Sequence, residues 1–288
     1  MSDFVNLAFN GLIVGLLVSL LAMAITLVFG IARFPNASAG DVATVGAYSG
    51  LAGSAITHKL YLIVAFGVAV PAAVSVFFYF ILFRALSRKA AVSSLIASIG
   101  VAFVLRATLT GIFGYDTRSY PLPIARATLI GPLRVMPSDL SILFIALAAL
   151  AVVFATLYLT PIGKRMRAVA DNPDLAKASG IRANRVLVVM WVMAGLLAGL
   201  AGTLLGVKAV ISSQMGWDLL IPAFAAAILG GLGNPLGAVV GGVLIGVAQE
   251  VSTPFVGFTY KFAIGFLVLL ITLLIRPQGL FASNIQVR

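Results

Sequence analysis

The hydrophobic pattern is a series of long, continuous apolar runs separated by short polar breaks. Crossing a bilayer takes about 20 apolar residues in a helix, and runs of that order occupy 7–32, 61–83, 91–113, 140–159 and 187–207. A transmembrane barrel would instead alternate apolar and polar positions in strands of about ten residues. Three further runs are weaker. Residues 42–56 are small and short for a crossing, with Gly46, Gly50 and Gly53, as in a helix sheltered from lipid by its neighbours. Residues 221–250 are apolar but broken at Gly230-Gly231-Leu232-Gly233-Asn234-Pro235, and 262–275 form the last run. The pattern predicts one all-α polytopic membrane domain over 1–288. It has about eight to nine transmembrane segments, including short or broken (re-entrant) helices. The first run follows neither a basic n-region nor a small-residue cleavage site and is expected to stay as a span. Pro71 is expected to kink the span over 61–83.

The polar intervals carry the remaining information. Residues 160–186 hold Lys164, Arg165, Arg167, Lys177, Arg182 and Arg185 against only Asp171 and Asp174. Within them, Asp174 to Gly180 reads as a short helix stopped by a glycine cap, placed to touch something outside the membrane. Backbone can be broken at membrane depth only where protein buries it or a polar cavity lies beside it. The junction at 230–235 is therefore expected near a transport path, or else is a plain loop between two spans. It either enters and leaves by one face or joins two short crossing helices. Gly11 with Gly15, and Gly195 with Gly199 and Gly202, permit close helix approach. A glycine-spaced span, a polar break and a small-residue helix near 11–53 recur near 195–231 in the opposite direction, so an inverted repeat is one reading.

Composition agrees. Of 288 residues, 61% are hydrophobic and 9% charged, with mean hydropathy +1.15; a soluble domain is about a quarter charged. In a soluble chain the net charge of +11 would point to nucleic acid. Here it reads as the excess of Lys and Arg on cytoplasmic loops, and no nucleic-acid partner is expected. With spans alternating and 160–186 in the cytoplasm, twelve basic residues share that side: Arg33, Arg84, Arg88, Lys89, the six of the loop, Arg276 and Arg288. Six lie opposite: Lys59, Arg118, Arg126, Arg134, Lys208 and Lys261. This puts the N-terminus outside and the C-terminus inside.

The absence of cysteine and a single histidine, His58, remove disulfides, redox dithiols and metal clusters from consideration. No activated nucleophile or paired carboxylate supports catalysis, and no phosphate-binding glycine loop is present. No cofactor is expected on this chain; if ATP drives it, another chain binds the nucleotide. Asp41 and Glu250 are the only acids near the ends of irregular segments. Arg106 lies well inside an apolar run. It marks a functional site or snorkels to an interface, and both readings stand.

Several motifs together resemble one family. They are Thr160-Pro161-x-Gly163-x-x-x-Arg167-Ala168 with Asn172, Ala176 and Gly180-Ile181; Asn36 with Gly40-Asp41 and Gly46-Ala47-Tyr48; Ala227 to Ala238; and Arg276-Pro277-Gln278-Gly279-Leu280-Phe281. In this order they are similar to the LIV-type (branched-chain, hydrophobic amino acid) permeases of bacterial ABC importers, over nearly the whole chain. The broader importer class carries Glu-Ala-Ala-x-x-x-Gly in its cytoplasmic loop, which Asp174-Leu175-Ala176-x-x-x-Gly180 fits loosely. The resemblance implies a multi-pass permease of the bacterial inner membrane that is not itself an enzyme. It implies a second, paralogous permease subunit, two ATP-binding subunits holding ATP and Mg, and a periplasmic substrate-binding protein. Coupling to the ATPases would fall on Arg167, Ala168, Asn172, Asp174, Ala176, Gly180 and Ile181. The path would be bordered by Asn36, Ser38, Gly40, Asp41, Tyr48, Arg106, Gly230, Gly231, Gly233 and Asn234. The family often has Asn-Phe-Ala-His-Gly-Glu where this chain has Asn36-Ala37-Ser38-Ala39-Gly40-Asp41. That departure leaves amides, urea or another small polar solute open beside branched-chain amino acids. The alternatives in other classes are a secondary carrier working alone and a channel or scaffold.

Overall fold

With no water in a bilayer core, apolar runs must satisfy their backbone groups internally, and helices do so residue by residue. The computed structural model describes residues 2–56, 59–87, 89–122, 128–130, 133–257, 260–276 and 279–281. His58, Arg88, Arg126, Pro277, Gln278 and Arg288 lie outside the described residues.

The helices are α1 (Ser2–Ala32), α2 (Ala39–Ile56), α3 (Leu60–Phe78), α4 (Arg84–Leu86), α5 (Ala91–Phe113), α6 (Pro137–Leu159), α7 (Pro161–Asp171), α8 (Pro173–Ala178), α9 (Ala183–Lys208), α10 (Met215–Gly230), α11 (Pro235–Val256) and α12 (Lys261–Ile275). A π-helical turn, Tyr79–Phe83, joins α3 to α4. Before α6, an antiparallel ribbon pairs β1 (Thr128–Ile130) with β2 (Leu133–Val135). Six helical stretches are long and apolar enough to cross a membrane, and α10 and part of α12 are shorter apolar helices. With α2 this makes nine apolar helices among the described residues, an all-α polytopic membrane protein as expected.

Burial separates a centre from a periphery. The most apolar window of α1 is 83% buried and that of α9 is 72%, while α3, α5, α6 and α11 each reach only 22–28%. Most of α2 is also buried, so the segment too weakly apolar to face lipid is indeed shielded from it. Packing is close because glycines permit it. A Cβ on Gly11 or Gly15 would sit 2.7–2.8 Å from the backbone of Val247 or Val243 in α11. On α9, Gly195 and Gly199 abut Ala72, Gly67 and Pro71 of α3, and Gly202 abuts Ala43 of α2. In lipid, helix association depends on this kind of contact more than on apolarity.

The two triplets α1–α2–α3 and α9–α10–α11 pack as an inverted repeat. The first helix of each lies along the third helix of the other. Lys208 at the end of α9 reaches Asn10 near the start of α1 (3.4 Å) and Asp139 in the first turn of α6 (3.0 Å), so α1 and α9 run in opposite directions. The short middle helices cross at their first turns, where Gly40 of α2 lies against Gly216 of α10. The Gly216 amide donates to Thr44 Oγ1 at 3.1 Å.

The interruption at 230–235 joins two antiparallel helices, with Gly230 against Gly237 and Ala226 against Gly241; α10 is short, whereas α11 has the length of a full span. Gly231 and Gly233 take φ of 98° and 91°, which disfavours any residue with a Cβ. Outside the spans, the Tyr120 hydroxyl donates to the Ala47 carbonyl (2.7 Å), and burial pushes its pKa up, keeping it a donor.

Gly199→Val should lower stability by about 1–3 kcal/mol through overpacking against α3. Gly111→Ala, where an added Cβ meets nothing within 4 Å, should raise it by up to about 1 kcal/mol. Thermal unfolding in detergent measures both, and equal shifts would refute the packing account.

Candidate functional site

Polar chemistry gathers where the first turns of α2 and α10 cross. The chain leaves α1, and Asn36 folds it back. Asn36 Oδ1 accepts from the Ser38 amide (3.1 Å) and the Ser38 hydroxyl (2.7 Å), and both residues are buried. The Ala37 amide donates to Ser98 Oγ (3.1 Å), fixing this turn to α5. Gly40 allows the approach of α10, and the next side chain is Asp41, fully buried in the first turn of α2. A carboxylate there is favoured by the helix dipole, but an unpaired one inside a membrane is costly.

Its partner is Arg106, about two-thirds along α5. Arg106 Nε and one terminal nitrogen donate to the two carboxylate oxygens of Asp41, each at 2.9 Å. This is the two-pronged geometry that gives arginine–carboxylate pairs their strength and direction. The guanidinium lies 4.9 Å from the centre of the Trp217 ring and 5.8 Å from that of Phe103, positions that add cation–π attraction. Arg106 keeps 15% of its side chain exposed against none for Asp41. The pair therefore keeps only its cationic side exposed, next to the exposed Trp217. The Arg106 side chain turns inward to α2.

The seam between α2 and α5 continues to Tyr48, whose ring centre lies 4.7 Å from that of Phe113. The Tyr48 hydroxyl is buried without a hydrogen-bond partner among the described residues.

The structure thus brings Asn36, Ser38, Gly40, Asp41 and Arg106 together, with Tyr48 further along the same seam. It places Gly230, Gly231, Gly233 and Asn234 elsewhere, at the far end of α10. There Gly233 faces Gly30. Asn234 caps α11 through the Gly237 amide (3.1 Å) and donates to the Phe281 carbonyl (2.8 Å). Trp217, which the sequence does not single out, completes the first group; an aromatic residue beside Asp218 at the head of a glycine-flanked helix was the available signal.

The charged loop folds as two helices, where the sequence pointed to one. Thr160 caps α7 by accepting from the Gly163 amide (3.2 Å), and Pro161 suits the first helical position. Gly163 lies against the Thr156 and Leu157 carbonyls, where a Cβ would not fit. Arg167 donates to the Leu157 carbonyl and lies over the Tyr158 ring. It ties α7 to α6, while Arg33 donates to the Ala170 carbonyl and ties α1 to the end of α7.

The Ala168 carbonyl accepts the Asn172 amide (3.1 Å), closing α7. Asn172 Oδ1 then accepts from the Asp174 and Leu175 amides (3.1 and 3.0 Å), opening α8. Asp174 and Lys177 sit at the helix ends that favour their charges. At the far end the Gly180 amide donates to the Lys177 carbonyl (2.9 Å) and the Ile181 amide to that of Ala176 (3.0 Å). With φ of 79° at Gly180, this is a complete Schellman cap. Ala176 is the one buried residue of α8. Leu175, also outside the expected set, is 65% exposed at its tip.

A family model described as branched-chain amino acid transport system / permease component matches residues 7–274. The chain is 30% identical over 294 residues to BraD of Pseudomonas aeruginosa, covering 94% of this chain and 93% of that one. It is 26% identical over 295 residues to LivH of Escherichia coli strain K12, covering 96% and 95%. It is also 27% identical over 156 residues to LivM of the same strain, covering 51% and 36%. All three are high-affinity branched-chain amino acid transport system permease proteins.

Arg106→Met alone strands a buried carboxylate and should cost about 3–5 kcal/mol, whereas Asp41→Leu with Arg106→Met should be close to neutral. Thermal unfolding of the three proteins checks this, and an additive double variant would remove the pair from the account. A stable double variant that no longer supports uptake would give the pair a role beyond folding.

Proposed function

This chain belongs to the branched-chain amino acid transport system / permease component family, and from that membership we propose that it forms the translocation path of a binding-protein-dependent ABC importer for branched-chain or other amino acids. It is a multi-pass membrane permease, not an enzyme. One observation carries the coupling half of the reading: α8 is capped at both ends by its own chain yet buries a single residue there. A helix so completely organised and so little covered is built for contact with another chain.

The partners of α8 are two separate ATP-binding subunits, which hold ATP and Mg. A second permease subunit completes the path, a reading supported by likeness to two permease proteins of one strain, LivH and LivM. A periplasmic substrate-binding protein delivers the solute at the opposite end. The membrane is the bacterial inner membrane, with the N-terminus outside and the C-terminus in the cytoplasm. Support for this orientation comes from the separation of basic residues. Arg33 joins the 160–186 loop at one end, while Lys208 and Lys261 pair with acids at the other.

Closure of the ATPases would pull on α8. Through α7 and Arg33 that pull reaches the end of α1, a few residues before Asn36–Asp41. The solute would pass beside Trp217, meeting the cationic edge of Arg106 and small residues.

A second reading, the same machinery for amides, urea or another small polar solute, is favoured by the departure over 36–41. Neither the aromatic nor the histidine of the common pattern is present there. Ligand binding by the cognate binding protein separates the two readings.

In proteoliposomes containing the full transporter, Gly180→Val, which costs at least about 1–2 kcal/mol at a left-handed position, should uncouple ATP hydrolysis from uptake. Ala176→Asp, which buries an unpaired charge, should do the same. Both should leave substrate binding by the soluble receptor unchanged. Normal uptake in both variants would exclude α8 as the coupling element, and gradient-driven uptake by this chain alone would overturn the importer reading.

A further inference from the structure

Beside the coupling helix, a groove opens between the start of α7 and the start of α9, with a cavity volume of about 530 Å³. Arg165 of α7 lines one wall, Arg182 and Arg185 at the head of α9 line the other, and Gly180 and Ile181 of the α8 cap lie between them, so the groove adjoins the proposed coupling contact. All three are exposed. None has a carboxylate within ion-pair distance among the described residues, where Lys177 takes Asp174 and the other ion pairs lie elsewhere. No acidic residue lines the groove; Ile162 and Val189 supply apolar surface.

We propose that this groove binds the phosphate of an anionic phospholipid. Three features converge on that ligand. Arginine forks match phosphate oxygens, and three with no internal partner make a site for more than one negative oxygen. The position is at the membrane boundary, since α7 follows the end of one span and α9 begins the next, so the mouth lies at headgroup level. The apolar lining also continues inward: Val189 lies six residues along α9, about 9 Å from Ala183, toward the depth of acyl chains.

A groove that is basic at its rim and apolar below fits a lipid better than the polar surface of a soluble subunit. Basic pockets between spans are established sites for lipid headgroups. Gly163, Met166 and Val169 of α7 are buried against the protein, which leaves Lys164 and Arg165 on its exposed face.

The test uses the full chain in a neutral detergent, with native mass spectrometry of bound dioleoylphosphatidylglycerol. Dioleoylphosphatidylcholine and inorganic phosphate serve as comparison arms. Retention of phosphatidylglycerol in preference to phosphatidylcholine is expected. In the triple variant Arg165→Gln/Arg182→Gln/Arg185→Gln that retention should fall roughly a hundredfold. In Lys164→Gln/Arg84→Gln, which removes exposed charge outside the groove, it should be unchanged. The substituted side chains are all exposed, so folding is expected to survive, and an unchanged unfolding temperature without lipid verifies it. Equal loss in both variants, equal retention of phosphatidylcholine, or inorganic phosphate displacing the lipid would overturn the proposal. So would a triple variant that keeps its lipid but no longer co-purifies with the ATP-binding subunits.

Discussion

The crossing of α2 and α10 at Gly40 and Gly216 is the contact on which the polar site depends. Neither position has room for a Cβ, because each faces the other's backbone carbonyl. Apolar helices in lipid gain little from hydrophobicity when they associate, so close backbone approach has to supply the packing. Once the two first turns touch, Asp41 is enclosed and must be paired. Arg106 meets that requirement from the third helix, α5, and Trp217 of α10 covers its face. The order of causes runs from glycine to burial to ion pair.

The sequence made the helices legible because apolar length is a one-dimensional signal: the run at 91–113 became a helix with those same bounds. Glycine spacing showed which faces would pack, as at Gly11 and Gly15, but not against what. Their partner α11 lies more than 200 residues away, and periodicity carries no information about neighbours. Arg106 was ambiguous for the same reason, since its fate rests on Asp41, 65 residues earlier. The charged loop looked like one helix because α7 shows only three inward positions in a basic stretch, and the restart at Asn172-Pro173 is local capping chemistry. The break at 230–235 was visible, but its depth was not. Depth depends on where α10 begins, and α10 begins at Met215, ahead of the apolar run, because the crossing with α2 holds its first turn.

Between the charged loop and the Asp41 site lies an aromatic stack. Phe34, just after α1, stacks on Phe83 at 5.4 Å between ring centres, and Phe83 on Trp191 of α9 at 4.6 Å. Tyr79 joins by donating to Asn184 Oδ1 (2.9 Å) at the start of α9. Tyr79 and Phe83 are the two ends of the π-helical turn, a geometry found mostly as single-turn interruptions, often at functional sites. The head of α9, the π turn and the segment leading to Asn36 thus share one contact surface. Spatial continuity alone is not energetic coupling. What it does establish is that α9 cannot shift at its charged end without repacking Phe83 and Phe34, because rings in stacked contact do not deform gradually.

The state of Asp41 also bears on the source of energy. A carrier driven by protons needs an intramembrane acid or histidine that can take up and release a proton at tolerable cost. Protonating Asp41 would neutralise the charge that holds Arg106 and turn one of its two acceptor oxygens into a donor, leaving the guanidinium a single neutral acceptor beside its aromatic faces. The carboxylate and the guanidinium are each other's counter-charge, and removing one partner of such a buried pair costs about 3–5 kcal/mol. Asp139 and Glu250 are each held by a lysine toward the ends of the helices, and Asp174 lies exposed on α8. The buried carboxylate of this membrane domain is committed to an arginine. The capped α8, by contrast, is left almost entirely uncovered by its own chain.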